Sequence, residues 1–166
     1  MIGRLRLARK LRGTARSRGC RPSLKLCYRI VAAARDTDTR VARLAALVEK
    51  ESGYEFVFGH DAGGLFPGER VTRRKYRELA ARLRSTWSGA NGVGYVQATY
   101  PPFITGDSSL WRPKHNLRWG AKQLDSLIRS DGYSDGLNAY NGDPTGEYGH
   151  DLALRIAAYT SALRKH

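Results

Sequence analysis

Apolar residues recur at intervals of three and four in five separate stretches of this chain, a period that suits one face of an α-helix. Residues 23–35 and 39–52 read as two helices separated by "DTDT", a capping and turn cluster. Residues 72–87 place Tyr76, Leu79, Leu83 and Trp87 on one stripe, with basic residues on the other faces. Residues 116–130 repeat the pattern with Leu117, Ala121, Leu124 and Ile128, and a last helix aligns Tyr148, Leu152, Ile156, Tyr159 and Leu163. Between them lie two glycine-rich connections, "GHDAGGLFPGE" and "SGANGVGYVQATYPP". A short pairing near "YEFVFG" is the extent of the strand signal. The expected class is mainly α.

One position breaks its pattern. Val41, Leu44 and Val48 form the apolar stripe of the second helix, and the next place on that stripe is Glu51. Its neighbours Glu49 and Lys50 fall on other faces, and Glu49, like Glu55, reads as a hydrated charge. A carboxyl group turned toward an apolar interior takes up a proton, so its pKa rises. Gly53 stops the helix two residues later, which puts Glu51 at the negative end of the helix dipole and pushes the same way. A carboxylic acid that is neutral near pH 7 can serve as a general acid for a poor leaving group such as a sugar oxygen. The plain alternative is a glutamate that ends a helix and turns out to solvent.

The formal net charge of +14 is uneven. Residues 1–40 hold 12 Lys and Arg against Asp36 and Asp38, and the remainder holds 17 against 13. Residues 1–22 are therefore expected to form a flexible basic arm before a single catalytic domain over residues 23–166. Such an arm suits polyanions, among them the acidic polymers of a cell wall, or else is a solvated tail. No RNA-binding signature, zinc-finger spacing or basic zipper accompanies it, so no dedicated nucleic-acid partner is expected. No apolar run approaches the roughly 20 residues of a membrane span. The Arg-rich start lacks the apolar core of a secretory signal, so the expected location is the cytoplasm until release to the wall, or a virion. Cys20 and Cys27 fit neither a metal knuckle nor a disulfide framework, and Cys27 sits on an apolar helix face as a core thiol. His60, His115 and His150 show no ligand spacing, and no metal or cofactor is expected.

Four pieces, in order, carry more specific information. "ALVEKESGY" holds Glu51 and Ser52; "GVGYVQAT" holds Gly94, Tyr95, Val96 and Gln97; "HNLRWGAKQLDSL" holds Asn116, Leu117, Gly120 and Leu124; "LNAYNG" holds Asn138, Ala139, Tyr140 and Asn141. Taken together, across roughly residues 24–163, the chain resembles the goose-lysozyme-like group that includes the soluble lytic transglycosylases and related bacteriophage endolysins. The resemblance implies a lysozyme-like fold, a monomer, glycan strands of peptidoglycan as substrate, and Glu51 as the catalytic acid. It further implies substrate-binding roles for Ser52, Gly94, Tyr95, Gln97, Asn138, Tyr140 and Asn141, with the Tyr140 hydroxyl approaching the catalytic carboxyl. The chain departs from the group in a long insert after the catalytic helix, residues 53–90, and in Tyr95 and Val96 where Leu and Met are usual.

The number of carboxylates separates the possible reactions. Hydrolysis with inversion needs a second carboxylate to activate water, and retention through a glycosyl-enzyme needs one as nucleophile. The resemblance implies that a lytic transglycosylase manages with one glutamate, which closes a 1,6-anhydro ring on muramic acid. Goose-type lysozymes carry aspartates around the second motif, where this chain has Asn91, Ala98 and Thr99. That favours the lyase. Asp61 of "GHDAGG" is the candidate second acid for a muramidase, although an Asp in such a turn commonly bonds its own backbone. A binding module that has lost the chemistry and a basic polyanion binder remain as the other classes.

Overall fold

The computed structural model describes residues 2–85, 87 and 89–164. Within them lie eight α-helices: α1 (Ile2–Ser17), α2 (Leu24–Asp36), α3 (Val41–Ser52), α4 (Arg73–Leu83), α5 (Pro101–Gly106), α6 (Pro113–Asp131), α7 (Tyr133–Ala139) and α8 (Glu147–Arg164). A 3-10 turn spans Gly94–Val96. Local chemistry sets several of the boundaries. The Ser23 hydroxyl accepts the Leu26 amide at 3.1 Å to open α2, and Thr72 does the same for Lys75 at 3.3 Å to open α4. Prolines begin α5 and α6, where the missing N–H costs nothing. Gly53, with φ 56°, closes α3 directly after the Glu51–Ser52 pair.

The architecture is mainly helical, as the periodicity implies. The helix expected over 72–87 stops at Leu83, and Trp87 instead packs against the domain from the following loop. Helices α5 and α7 carry too few turns to show a stripe. Gly136 of α7 lies against the backbone of α6 at Ile128, so closely that a Cβ would collide with it. Two antiparallel contacts, Val57 with Arg70 and Phe58 with Val93, are the strand-like pairing among the described residues.

Two hydrophobic clusters organise the packing. In the larger, Leu44 through Val48 of α3 are buried, packed among α2, α6, α8 and the 3-10 turn, with α1 covering α2 and α8. The smaller gathers Phe58, Val71, Tyr76 and Leu79 with Val93, Ile104 and Leu110, so the segment after α3 and the segment leading to α6 share a second core. Phe56 and Trp119 touch both clusters. No helix among the described residues is long and apolar enough to cross a membrane.

The basic segment at the start is not a flexible arm. It forms α1, whose Ala8, Leu11 and Ala15 are fully buried against the larger cluster. Arginines crowd the exposed faces and hide a sparse stripe of small residues and leucines, which is why the charge dominates the sequence. Glu49 is not a hydrated charge either. It is 7% exposed, and its carboxylate takes Arg18 at 2.7 Å, Arg155 at 2.5 Å and the Tyr159 hydroxyl at 2.5 Å. Burial alone would push its pKa up; the bonds from Arg18 and Tyr159, with the arginine charges, outweigh burial and hold it below the ordinary carboxylate value.

Both corrections are testable by equilibrium unfolding. Leu11→Ala is expected to cost about 2–5 kcal/mol and Glu49→Gln roughly 1–3 kcal/mol, while Glu55→Gln, on an exposed side chain, stays within about 0.5 kcal/mol. A Leu11→Ala protein as stable as the wild type would restore the arm reading.

Candidate active site

Glu51 occupies the last turn of α3, and its carboxyl opens into a cleft of about 510 Å³. Asp61, Gln97, Tyr140 and Asn141 line the same cleft. The geometry that brings them there is largely backbone. Gln97 adopts a left-handed conformation at φ 45°, and its amide donates to the carbonyls of Gly94 at 2.6 Å and Val57 at 3.2 Å. Asp61 accepts the Gly92 amide at 2.6 Å, a bond across 31 residues that anchors the glycine-rich turn. The Asp61 carboxylate and the Gln97 amide oxygen converge over Gly59, where a Cβ would collide with both. Asn91, fully buried, accepts the amides of Leu65 and Phe66 and donates to the Gly59 carbonyl at 2.9 Å, so it fixes the loop that carries Asp61.

Other members of the expected set lie elsewhere. The Ser52 hydroxyl donates to backbone carbonyls, among them Tyr95 at 2.9 Å, and does not line the cleft. Tyr95 is buried against Phe56, with ring centroids 4.8 Å apart. Gly94, at φ 76°, lies so close to Phe56 and Asn116 that a Cβ would collide with them. Asn138 accepts the Gly149 amide at 2.6 Å and joins α7 to α8. These four position the site and do not line it. Asn116 belongs with them: its side chain is fully buried, donates to the Val93 carbonyl at 2.8 Å and accepts the Val96 amide at 3.3 Å.

Tyr140 lies near enough to Glu51 to feel its charge, but the hydroxyl bonded to the carboxyl belongs to another tyrosine. Tyr140 donates to the Val96 carbonyl at 2.8 Å, whereas Tyr148, from the first turn of α8, donates to the Glu51 carboxyl. On sequence Tyr148 is a member of an apolar stripe. A buried tyrosine hydroxyl nonetheless needs a partner, and that requirement is the signal that could have singled it out. Lys50 bonds Asp151 at 2.5 Å and lies 4.4 Å from the centre of the Tyr148 ring. The cleft also holds an aromatic wall absent from the sequence reading: Tyr100 on Phe103, and Phe103 on Trp119, each pair near edge-to-face at about 5 Å.

Burial raises the Glu51 pKa to about 7, and the Asp61 charge adds to it; the Tyr148 bond and the Lys50 charge oppose it. Such a group exchanges its proton near neutrality, in a cleft offering ring faces and amides. Among the described residues no group of three or more His, Cys, Asp or Glu could hold a metal ion. Compared with models of known protein families, with curated proteins and with solved structures, the chain matches none.

The raised pKa has a consequence for stability. An unfolded chain releases the Glu51 proton near the ordinary value of 4.5 and the folded chain near 7, so folding loses stability as pH rises between those values and no more above them. Glu51→Gln removes that loss. Its unfolding free energy is expected to match the wild type below about pH 4.5 and to exceed it above pH 7 by on the order of 2 kcal/mol once screening from the open cleft is allowed for, with the melting temperature rising accordingly. Melting curves that stay parallel across the range would contradict a raised pKa.

Proposed function

We propose that this protein is a peptidoglycan lytic transglycosylase with a lysozyme-like fold, cutting the β-1,4 bond between MurNAc and GlcNAc with Glu51 as its single acid and base. One observation carries the reading: a carboxyl with its pKa near 7, held by a tyrosine hydroxyl, at the wall of an open cleft lined with aromatic rings and side-chain amides. The sequence motifs supply the polymer, and the cleft supplies surfaces that suit sugar rings.

The chemistry follows from that group. Protonated Glu51 gives its proton to the glycosidic oxygen as the bond to C1 breaks, and positive charge develops on the ring. The resulting carboxylate then takes the proton of the muramic acid C6 hydroxyl. That oxygen closes on C1 as a 1,6-anhydro ring, and Glu51 returns to its starting form. Tyr148 orients the carboxyl through the cycle. Gln97, Asn141 and the wall of Tyr100, Phe103 and Trp119 would hold the strand. Lys50 and Asp151 hold Tyr148 from behind.

A second reading has its own observation. Asp61 lines the same cleft and its charge is felt by Glu51, so a muramidase that uses Asp61 to direct water onto C1 is the alternative. Glu51→Gln is expected to lower the rate of wall clearance by about 10²–10⁴ while the protein stays folded. Mass analysis of fragments from purified peptidoglycan separates the two readings. The lyase gives 1,6-anhydro-MurNAc ends, and Asp61→Asn leaves that product unchanged. Reducing ends, with Asp61→Asn nearly as damaging as Glu51→Gln, would replace the lyase with the muramidase.

A further inference from the structure

A second cavity, of about 290 Å³, runs between α4 and the segment from α5 to the start of α6. Residues 73, 76, 77 and 80 of α4 line it together with Arg84, which caps the helix, along one face about 16 Å long. Arg73, Arg77 and Arg84 come from that face and Arg112 from the opposite wall. The floor is apolar, with Tyr76, Ala80 and Ile104 buried. Among the described residues, none of these four guanidiniums pairs with a carboxylate.

The charge is placed and not left over. The two walls are bonded to each other: the Tyr76 hydroxyl donates to the Ile104 carbonyl at 2.8 Å, and Arg84 donates to the Thr105 carbonyl at 2.8 Å. Trp111 prepositions two of the cations, with Arg73 and Arg112 at 5.7 and 5.1 Å from its ring centre. Helix α4 also opens on Arg73 and Arg74 with no acid in its first turn, whereas Lys75 beside them pairs with Glu69. Cations at the positive end of a helix dipole work against the helix, so stability does not account for them there.

We propose that this groove binds a linear phosphodiester polymer whose repeating units carry no flat base, such as a polyol phosphate chain. Guanidinium forks match phosphate oxygens, and cations spread along one helix face track successive phosphates. Single-stranded nucleic acid needs open aromatic platforms for its bases. Here the indole is engaged by guanidiniums and the tyrosine ring is buried, so a chain of small polyols fits and a chain of bases does not. The groove stands apart from the cleavage reading, because its occupancy is measured without any lysis.

Labelled poly(glycerol phosphate) and a single-stranded oligonucleotide with the same number of phosphates are titrated against the full chain over a range of salt. Two charge-matched variants are compared with the wild type: Arg73→Gln with Arg77→Gln in the groove, and Arg9→Gln with Arg16→Gln on the exposed face of α1. The groove variant is expected to bind the polyol phosphate at least about tenfold more weakly, with a salt slope lower by about two; the α1 variant changes by less than about threefold. Arg112→Gln, on the other wall and outside α4, is expected to weaken binding severalfold, which guards against a folding defect in α4. Equal losses in both double variants would reduce the site to diffuse surface charge. Tighter binding of the oligonucleotide, lost in the groove variant, would make it a nucleic-acid site. No binding of poly(glycerol phosphate) would also overturn the proposal.

Discussion

Two carboxyl groups two residues apart on one helix meet opposite fates, and the rest of the structure is arranged around that difference. Glu49 is held in its ionised form, clamped by Arg18 just past the end of α1 and by Arg155 and Tyr159 from α8. Glu51 is turned toward the cleft with a tyrosine hydroxyl and, among the described residues, no cation bonded to it, and burial raises its pKa to about 7. Between them Lys50 reaches Asp151. Three consecutive residues of α3 are thus tied to one edge of α8, through positions 148, 151, 155 and 159, which recur at helical spacing. A carboxyl kept from ionising by its surroundings is only as useful as its position is fixed, and this polar seam fixes it.

The same seam explains what the sequence did and did not reveal. Strong periodicity made α2, α3, α6 and α8 readable, because each turns one apolar face to a shared core. Glu51 was legible as an acid on such a face. Glu49 was not, since a helix enclosed on all sides has no solvated face, and nothing local says that α1 will cover it. The basic arm hid a helix for the same reason: Ala8, Leu11 and Ala15 make too thin a stripe to stand out among arginines. The order of the motifs pointed to Gln97, Tyr140 and Asn141, and the search for a second acid to Asp61; all four line the cleft. Ser52, Gly94, Tyr95 and Asn138 share those motifs because the turns that carry the cleft residues need them. Tyr148 escaped because a tyrosine on an apolar stripe is indistinguishable from core until its hydroxyl finds a partner across the chain.

Helix α5 joins two surfaces that would serve different polymers. Phe103 faces the cleft of Glu51 and its neighbour Ile104 floors the arginine groove, so six residues of helix separate a surface suited to sugar rings from one suited to phosphates. The second cluster, built jointly by Phe58, Val71, Tyr76 and Leu79 and by Val93, Ile104 and Leu110, underlies α4 and the strand-like pairing next to the loop with Asp61. A stretch that reads on sequence as an interruption of a motif pattern is, in the folded chain, the scaffold on which the second surface is built.

In the folded protein Glu51 titrates near neutral pH. Carbon-detected magnetic resonance of the glutamate side-chain carboxyls, assigned through the loss of one signal in Glu51→Gln, reads this directly. The account predicts a midpoint of about 7 for Glu51, moving higher in Tyr148→Phe, where a bond that favours the ionised form is lost. A midpoint near 4.5, unmoved by Tyr148→Phe, would contradict it.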